Sequence, residues 1–293
     1  MRSARARFAA KVAGVPIRIR KGAAVAVALA VATVLGLFGA AAAGAFASPV
    51  PAAPPGHGAL SGTGAEARRA AVRATRPASR ARASTAASAT TSCTTVGHIG
   101  DSTSVGMVSP EYLPDPAQRL AAQYAAVGVT HLRVDASGGR SIVEVMPDQV
   151  NGYNVARNWV AAGFHGCWVF ALGTNDTANV AVGSNVSRMA RIQEMMSVAH
   201  GEPVLWVNTH TLLSSGPWSE ANMQTWNNTL VQACRQYPNM RIFNWAGMDQ
   251  PSWHIADGIH YTSAGYAIRA AAIAHGLAQA FPRGGHSTNC VVG

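Results

Sequence analysis

The sequence predicts an α/β domain: a five-stranded parallel sheet with helices on both faces. Three observations lead there. From Cys93 onward, short apolar runs alternate with longer stretches whose apolar residues recur at helical spacing. The run at 167–172 is continuously apolar, as expected of a strand buried on both faces. About two hundred residues follow Cys93, the length of one such domain.

In chain order, the first strand is read over 94–99 and ends abruptly in Gly100-Asp101-Ser102. A helix follows over 116–127, then a strand over 131–136 and a helix over 154–162. The third strand, 167–172, precedes a helix over 185–199. A strand over 203–208, a helix over 219–237, a strand over 241–244 and a closing helix over 263–280 complete the pattern.

The part before Cys93 has another character. It holds 13 of the 23 basic residues and one acidic residue, Glu66, so the formal charge of +10 belongs to this segment. From Cys93 on, ten Arg face twelve acidic residues, with no zinc-finger spacing and no basic-aromatic stripe, which excludes a nucleic-acid groove there. Residues 1–21 are basic, 22–46 are almost wholly apolar, and Ala45-Phe46-Ala47 offers small residues for cleavage. That order marks residues 1–47 as an export signal. The apolar run is also long enough for an uncleaved signal anchor, and both readings stay open. No cysteine lies near the cleavage point and no Arg-Arg pair precedes the run, which argues against lipoprotein and twin-arginine routes. Residues 48–92, rich in Ala, Pro, Ser, Thr and Arg, read as a disordered tether.

Four cysteines, Cys93, Cys167, Cys234 and Cys290, lie in the folded part without a Cys-x-x-Cys pair. An even count in an exported chain suggests two disulfides. Three pairings are possible. Cys93 with Cys290, pinning the two ends of the domain, is the favoured one.

Four places at or near strand ends carry chemistry. Ser102 stands where the first strand stops, a candidate nucleophile. Ser137-Gly138-Gly139-Arg140 follows the second strand, where a glycine lets backbone approach a ligand and donate its amide. Gly173-Thr174-Asn175-Asp176 follows the third, with the Asn175 amide aimed at the same place. Asp257-Gly258-Ile259-His260 precedes the last helix and supplies a carboxylate and an imidazole three residues apart. Each alone has an ordinary structural explanation: a helix cap, a loop, a turn, a surface histidine. Their joint occurrence at successive strand ends does not. Asp101 and Asp176 are read as structural, one capping the helix after Ser102 and the other bracing the Asn175 turn.

This set resembles the SGNH, or GDSL-type, hydrolase superfamily over roughly residues 93–281. The resemblance implies a flavodoxin-like three-layer α/β/α sandwich with five parallel strands. It makes Ser102 the nucleophile, His260 the general base and Asp257 its orienting carboxylate. The amides of Ser102 and Gly139 and the Asn175 side chain would form the oxyanion hole, with Gly138 as the neighbouring candidate. The first block reads Gly-Asp-Ser-Thr rather than Gly-Asp-Ser-Leu. No metal and no cofactor are needed.

A further likeness runs through Val204-Leu205-Trp206-Val207-Asn208, Trp218, Asn222, Trp226-Asn227 and Tyr237 to Trp245. It is similar to exported SGNH domains associated with membrane acyltransferases that O-acetylate cell-wall glycans. The resemblance implies an acyl-serine intermediate, short-acyl glycan esters as substrates and a membrane acyltransferase as partner. The chain is read as a monomer. Trp253, His254 and Arg140 are the candidate substrate contacts; packing is the ordinary reading for Trp226 and Trp245. A lipase or phospholipase acting on lipid esters is the enzymatic alternative, and a non-catalytic wall-binding module is the third reading.

Overall fold

A computed structural model describes residues 90–293. The expected export signal, 1–47, and residues 48–89 of the expected tether lie outside the described residues. Strands β1 (Thr95–Gly100), β2 (His131–Ala136), β3 (Cys167–Ala171), β4 (Val204–Val207), β5 (Met240–Phe243) and β6 (Val291–Val292) form one sheet in the order β2-β1-β3-β4-β5-β6. Every pairing is parallel. The expected parallel α/β sheet is present with six strands rather than five. The sixth is two residues long, too short to show a period. It is held by the Ile242 amide on the Cys290 carbonyl and the Asn244 amide on the Val292 carbonyl, each at 2.8 Å.

Successive side chains of a strand point to opposite faces, and this divides the core in two. Cys167, Val169 and Ala171 of β3, with Leu205 and Val207 of β4, pack among Met107, Leu120, Tyr124, Ile273 and Leu277. Trp168, Phe170 and Trp206 face the other way, among Trp159, Ile192, Met195, Trp226 and Leu230. The first face is covered by α1 (Ser102–Val108), α2 (Leu120–Ala126) and α7 (Ser263–Ala280). The second is covered by α3 (Gly152–Ala161), α5 (Arg188–Ala199) and α6 (Glu220–Cys234). Each fully buried large apolar side chain contributes about 1.5–3 kcal/mol. Trp226 and Trp245 are fully buried, in keeping with their reading as packing residues.

The helix expected after Ser102 is α1, with Asp101 as its cap, whereas the apolar pattern missed α4 (Thr174–Ala181). Helix α4 is short and polar and begins at a chemistry-bearing turn, so no long apolar period announces it. The helix expected over 116–127 is broken. Residues Pro116–Gln118 form a 3-10 turn, then Arg119 is extended, with its guanidinium donating to the Leu113 and Pro114 carbonyls at 2.8 and 2.9 Å. The closing helix has its expected bounds, capped by Thr262, whose hydroxyl accepts from Gly265 N–H at 3.1 Å.

The favoured Cys93–Cys290 pairing is not formed. The disulfides are Cys93–Cys167 and Cys234–Cys290. Cys93 precedes β1 and Cys167 opens the neighbouring β3, which brings their Cα atoms to 5.7 Å. Cys234 ends α6 beside β5 and Cys290 leads into β6, the next strand over. The described structure also extends before Cys93. Thr91 is buried, its amide bonded to the Val127 carbonyl at 2.8 Å and its hydroxyl to the Phe281 carbonyl at 2.9 Å.

Candidate active site

The sheet order places β2 and β3 on either side of β1, so the turns after these strands meet at one end of the sheet. Asp101 N–H bonds the Ala171 carbonyl at 3.2 Å, tying the end of β1 to that of β3, and Ser137 N–H bonds the Gly100 carbonyl at 3.3 Å, tying in β2. Ser102 is the first residue of α1 and is half-buried. Asp101 caps this helix: its Oδ1 accepts from Thr103 N–H at 2.9 Å and from the Thr103 hydroxyl at 2.7 Å. Gly100 has no room for a side chain, because Ser104 and His98 fill the space its Cβ would occupy.

Gly139 sits at φ +69°, where a side chain would be strained, and the Met146 sulfur lies where its Cβ would be. Gly138, the neighbouring candidate, is exposed and has nothing close to that position. Asn175, half-buried in the first turn of α4, donates from Nδ2 to the Arg140 carbonyl at 3.1 Å. The loop after β2 is therefore stitched to the start of α4. Asp176, fully buried, strengthens the stitch: its Oδ1 accepts from Ile142 N–H at 2.9 Å and from Arg191 Nη1 at 2.8 Å. Arg191 also pairs with Glu144. Burial alone would raise the Glu144 pKa, but the hydrogen bonds from Arg191 and Ser184 hold it down to about 2.

The fourth block forms a closed loop. His254 and Tyr261 bridge its ends, and Ile255 N–H bonds the His260 carbonyl at 2.9 Å. Gly258 turns it at φ +68°. Asp257 Oδ1 accepts the backbone N–H groups of Ile259 and His260, both at 2.9 Å, while its Oδ2 meets His260 Nδ1 at 2.6 Å. Partial burial works to raise the Asp257 pKa, but the His260 ring and these amides outweigh it and hold the carboxyl below its usual range. The imidazole is thereby oriented through Nδ1, with Nε2 on the other side of the ring.

Helix α7 starts three residues after His260 and packs directly on α1. The Tyr266 ring fills the space beside Gly106, Arg269 donates to the Thr103 hydroxyl at 3.3 Å, and the Tyr266 hydroxyl reaches the Ser102 carbonyl at 3.5 Å. The loop bearing Asp257 and His260 and the turn bearing Ser102 thus belong to two helices in contact. Among the described residues no hydrogen bond joins Ser102 Oγ to His260. Catalytic hydrogen bonds are often long or unformed before a substrate binds.

Two of the three candidate substrate contacts face inward. The Arg140 guanidinium donates to the carbonyls of Gly100, Asp135 and Val150 and pairs with the Asp135 carboxylate at 2.7 Å. With its side chain 4% exposed, Arg140 is a brace between strand ends rather than a group that reaches a substrate. The His254 side chain is fully buried, with Nε2 at 2.9 Å from Asp249 Oδ2. Trp253 is half-buried, packed near Trp245 at 5.7 Å between ring centroids.

Asp249 gathers a cluster that its sequence spacing hides. Its Oδ2 accepts from His210 Nδ1 at 3.0 Å, from His254 Nε2 and from the Tyr261 hydroxyl at 3.2 Å. Although burial opposes it, these hydrogen bonds drive the Asp249 pKa far down, and the bond to Asp249 raises that of His210. The donor atoms of His210, Asp249 and His254 lie within 4.8 Å of one another, and two imidazoles with a carboxylate suit a zinc-type ion. The spacings to Asp249 are those of hydrogen bonds in a histidine–carboxylate network, while the buried His254 Nδ1 has no partner among the described residues.

No family model and no curated protein matches the chain. Solved structures do. The C-terminal catalytic domain of peptidoglycan O-acetyltransferase A from Streptococcus pneumoniae matches over 65% of this chain and 97% of its own, at 16% identity and a TM-score of 0.48. A lipase/acylhydrolase from Enterococcus faecalis matches over 63% and 95%, at 16% identity and a TM-score of 0.49. A carbohydrate acetylesterase from Sinorhizobium meliloti matches over 61% and 96%, at 18% identity and a TM-score of 0.47. At these values the chemistry of the site rests on its own residues.

Proposed function

We propose that this chain is an exported SGNH-type serine esterase or acyl-transferring enzyme. The supporting observation is the His260–Asp257 pair at 2.6 Å on the loop that leads into α7, which packs on the helix begun by Ser102. His260 Nε2 takes the Ser102 proton as Oγ attacks an ester carbonyl, while the Asp257 carboxylate holds the ring and stabilises the imidazolium. The charge that develops on the carbonyl oxygen meets the Ser102 and Gly139 amides and Asn175 Nδ2. Collapse expels the alcohol, which receives the proton from His260, and leaves an acyl group on Ser102. Water or a sugar hydroxyl then attacks that acyl-serine, with His260 again as base. Short acyl esters of cell-envelope glycans, acetyl foremost, are the substrates in this reading. Residues 1–47 direct export, residues 48–92 serve chiefly as a tether, and a membrane acyltransferase supplies acyl groups if the enzyme transfers rather than hydrolyses.

Activity of the full chain on p-nitrophenyl acetate, butyrate and a long-chain ester, with and without a chito-oligosaccharide acceptor, tests this. Acetate turnover that disappears in Ser102→Ala is expected, and acylated oligosaccharide would make the enzyme a transferase. A preference for the long-chain ester would favour lipid substrates. Folded protein that turns over no ester would sink the reading.

A further inference from the structure

The segment joining β4 to α6 crosses from one arm of the site to the other. Near its start, Leu212 N–H donates to the Gly258 carbonyl at 2.8 Å, inside the Asp257–His260 turn. At its end, the Trp218 indole N–H reaches Asn175 Oδ1 at 3.4 Å, a long contact just beyond the usual span of N–H···O bonds. Trp218 is held from behind by its own loop. Its carbonyl accepts the Thr211 hydroxyl at 2.7 Å, and Ser219 N–H closes on the Gly216 carbonyl at 3.1 Å. Glu220 ties off the loop: its amide bonds the Leu213 carbonyl at 2.8 Å and its carboxylate accepts Thr211 N–H at 3.0 Å. The indole is therefore aimed before any substrate arrives.

What it is aimed at has two orientations of nearly equal shape. An asparagine amide presents either oxygen or NH2 after a half-turn, and only its hydrogen-bond partners decide between them. An oxyanion donor must present NH2. Here Asn175 Nδ2 donates to the Arg140 carbonyl and Oδ1 accepts from Trp218. Half a turn would set the amide oxygen against the Arg140 carbonyl and NH2 against the indole N–H, two repulsive contacts at once. One Nδ2 hydrogen is used on Arg140, and the other remains for a ligand.

We infer that Trp218 is a positioning residue that locks the Asn175 amide with its NH2 turned to the oxyanion. The inference rests on the reading of Asn175 as an oxyanion donor. Trp218 is 38% exposed, so its replacement leaves the core intact.

A double-mutant cycle in the full chain tests it, with kcat, KM and melting temperature measured on p-nitrophenyl acetate for wild type, Trp218→Phe, Asn175→Ala and the double variant. Phenylalanine keeps an aromatic ring and removes the N–H. The expected result is a fall in kcat of about tenfold in Trp218→Phe, the scale of one neutral hydrogen bond, with KM and melting temperature nearly unchanged. In the Asn175→Ala background the same change should have no effect on kcat. An equal loss in both backgrounds, or no loss in either, overturns the lock while leaving the serine esterase in place. If Asn175→Ala itself keeps full kcat, the oxyanion assignment falls and the lock falls with it.

Discussion

Beneath the Ser102 turn lies His98, fully buried, with Nδ1 at 2.9 Å from the Tyr124 hydroxyl and Nε2 at 3.2 Å from the Ser104 hydroxyl. Burial, with the Arg269 charge adding to it, pushes its pKa down to about 3, so the ring stays neutral in the fold. An unfolded histidine takes a proton near pH 6.5. Between the two values the unfolded state binds more protons, so stability rises with pH across that window and falls on acidification. At pH 4.5 this one group should cost about 3 kcal/mol relative to pH 7. Urea unfolding from pH 7 to 4.5 should show that loss in the wild type and a much smaller slope in His98→Gln. At the same scale, Ser102, Gly139, Asn175, Asp257 and His260 can be named as candidates from sequence because each block is local, two to four residues whose chemistry is complete in the sequence. Trp218 against Asn175, Met146 against Gly139 and the Asp249 cluster cannot. Their partners are far apart in the chain and meet only through the order of the strands.

The elements that carry the site are fastened by charge as well as by packing. The segment after β2 has little regular structure, yet Arg191 of α5 reaches it through Glu144, and Asp176 of α4 holds Ile142. The Arg191 and Asp176 side chains are fully buried. Removing the cation would leave buried carboxylate uncompensated, at a cost of about 3–5 kcal/mol. Arg191→Met should therefore lower the urea midpoint markedly, whereas Arg157→Met, on an exposed position of α3, should leave it nearly unchanged. The long elements were legible from apolar spacing: the closing helix has the bounds its pattern gave, and α6 buries Met223, Trp226, Leu230 and Ala233 at intervals of three and four. Helix α1 was legible only through its Asp101 cap, and α4 was not legible, because a strand end defines it rather than a period. The two-residue β6 was beyond any pattern.

At the scale of the whole molecule, the sheet has one end that carries the candidate site and another that is stapled. The turns after β1, β2 and β3 gather at their carboxyl ends. The Cys93–Cys167 bond joins residues that lead into β1 and β3, so it lies at the opposite edge of those strands. Closing loops of this size is worth about 4 kcal/mol each on the chain-entropy account. Reduction should lower the melting temperature while leaving kcat at 25 °C close to that of the oxidised protein. A matching drop in kcat would mean that the staples shape the site as well as the fold. The overall class was legible because alternation of strands and helices is a property of the chain as a whole. The cysteine pairing was not, since it depends on which strands become neighbours.

That pairing has a consequence for how the molecule is made. The first cysteine bonds the second and the third bonds the fourth. A chain that enters an oxidising compartment amino end first therefore meets each partner in order of emergence. Neither loop encloses a cysteine belonging to the other, so an oxidant that joins successive thiols reaches the native set without a wrong bond to undo. On the export proposed above, maturation of this protein should then depend on a thiol oxidase and be indifferent to a disulfide isomerase. Had the two ends of the domain been joined, with Cys93 waiting for Cys290, the protein would have needed both.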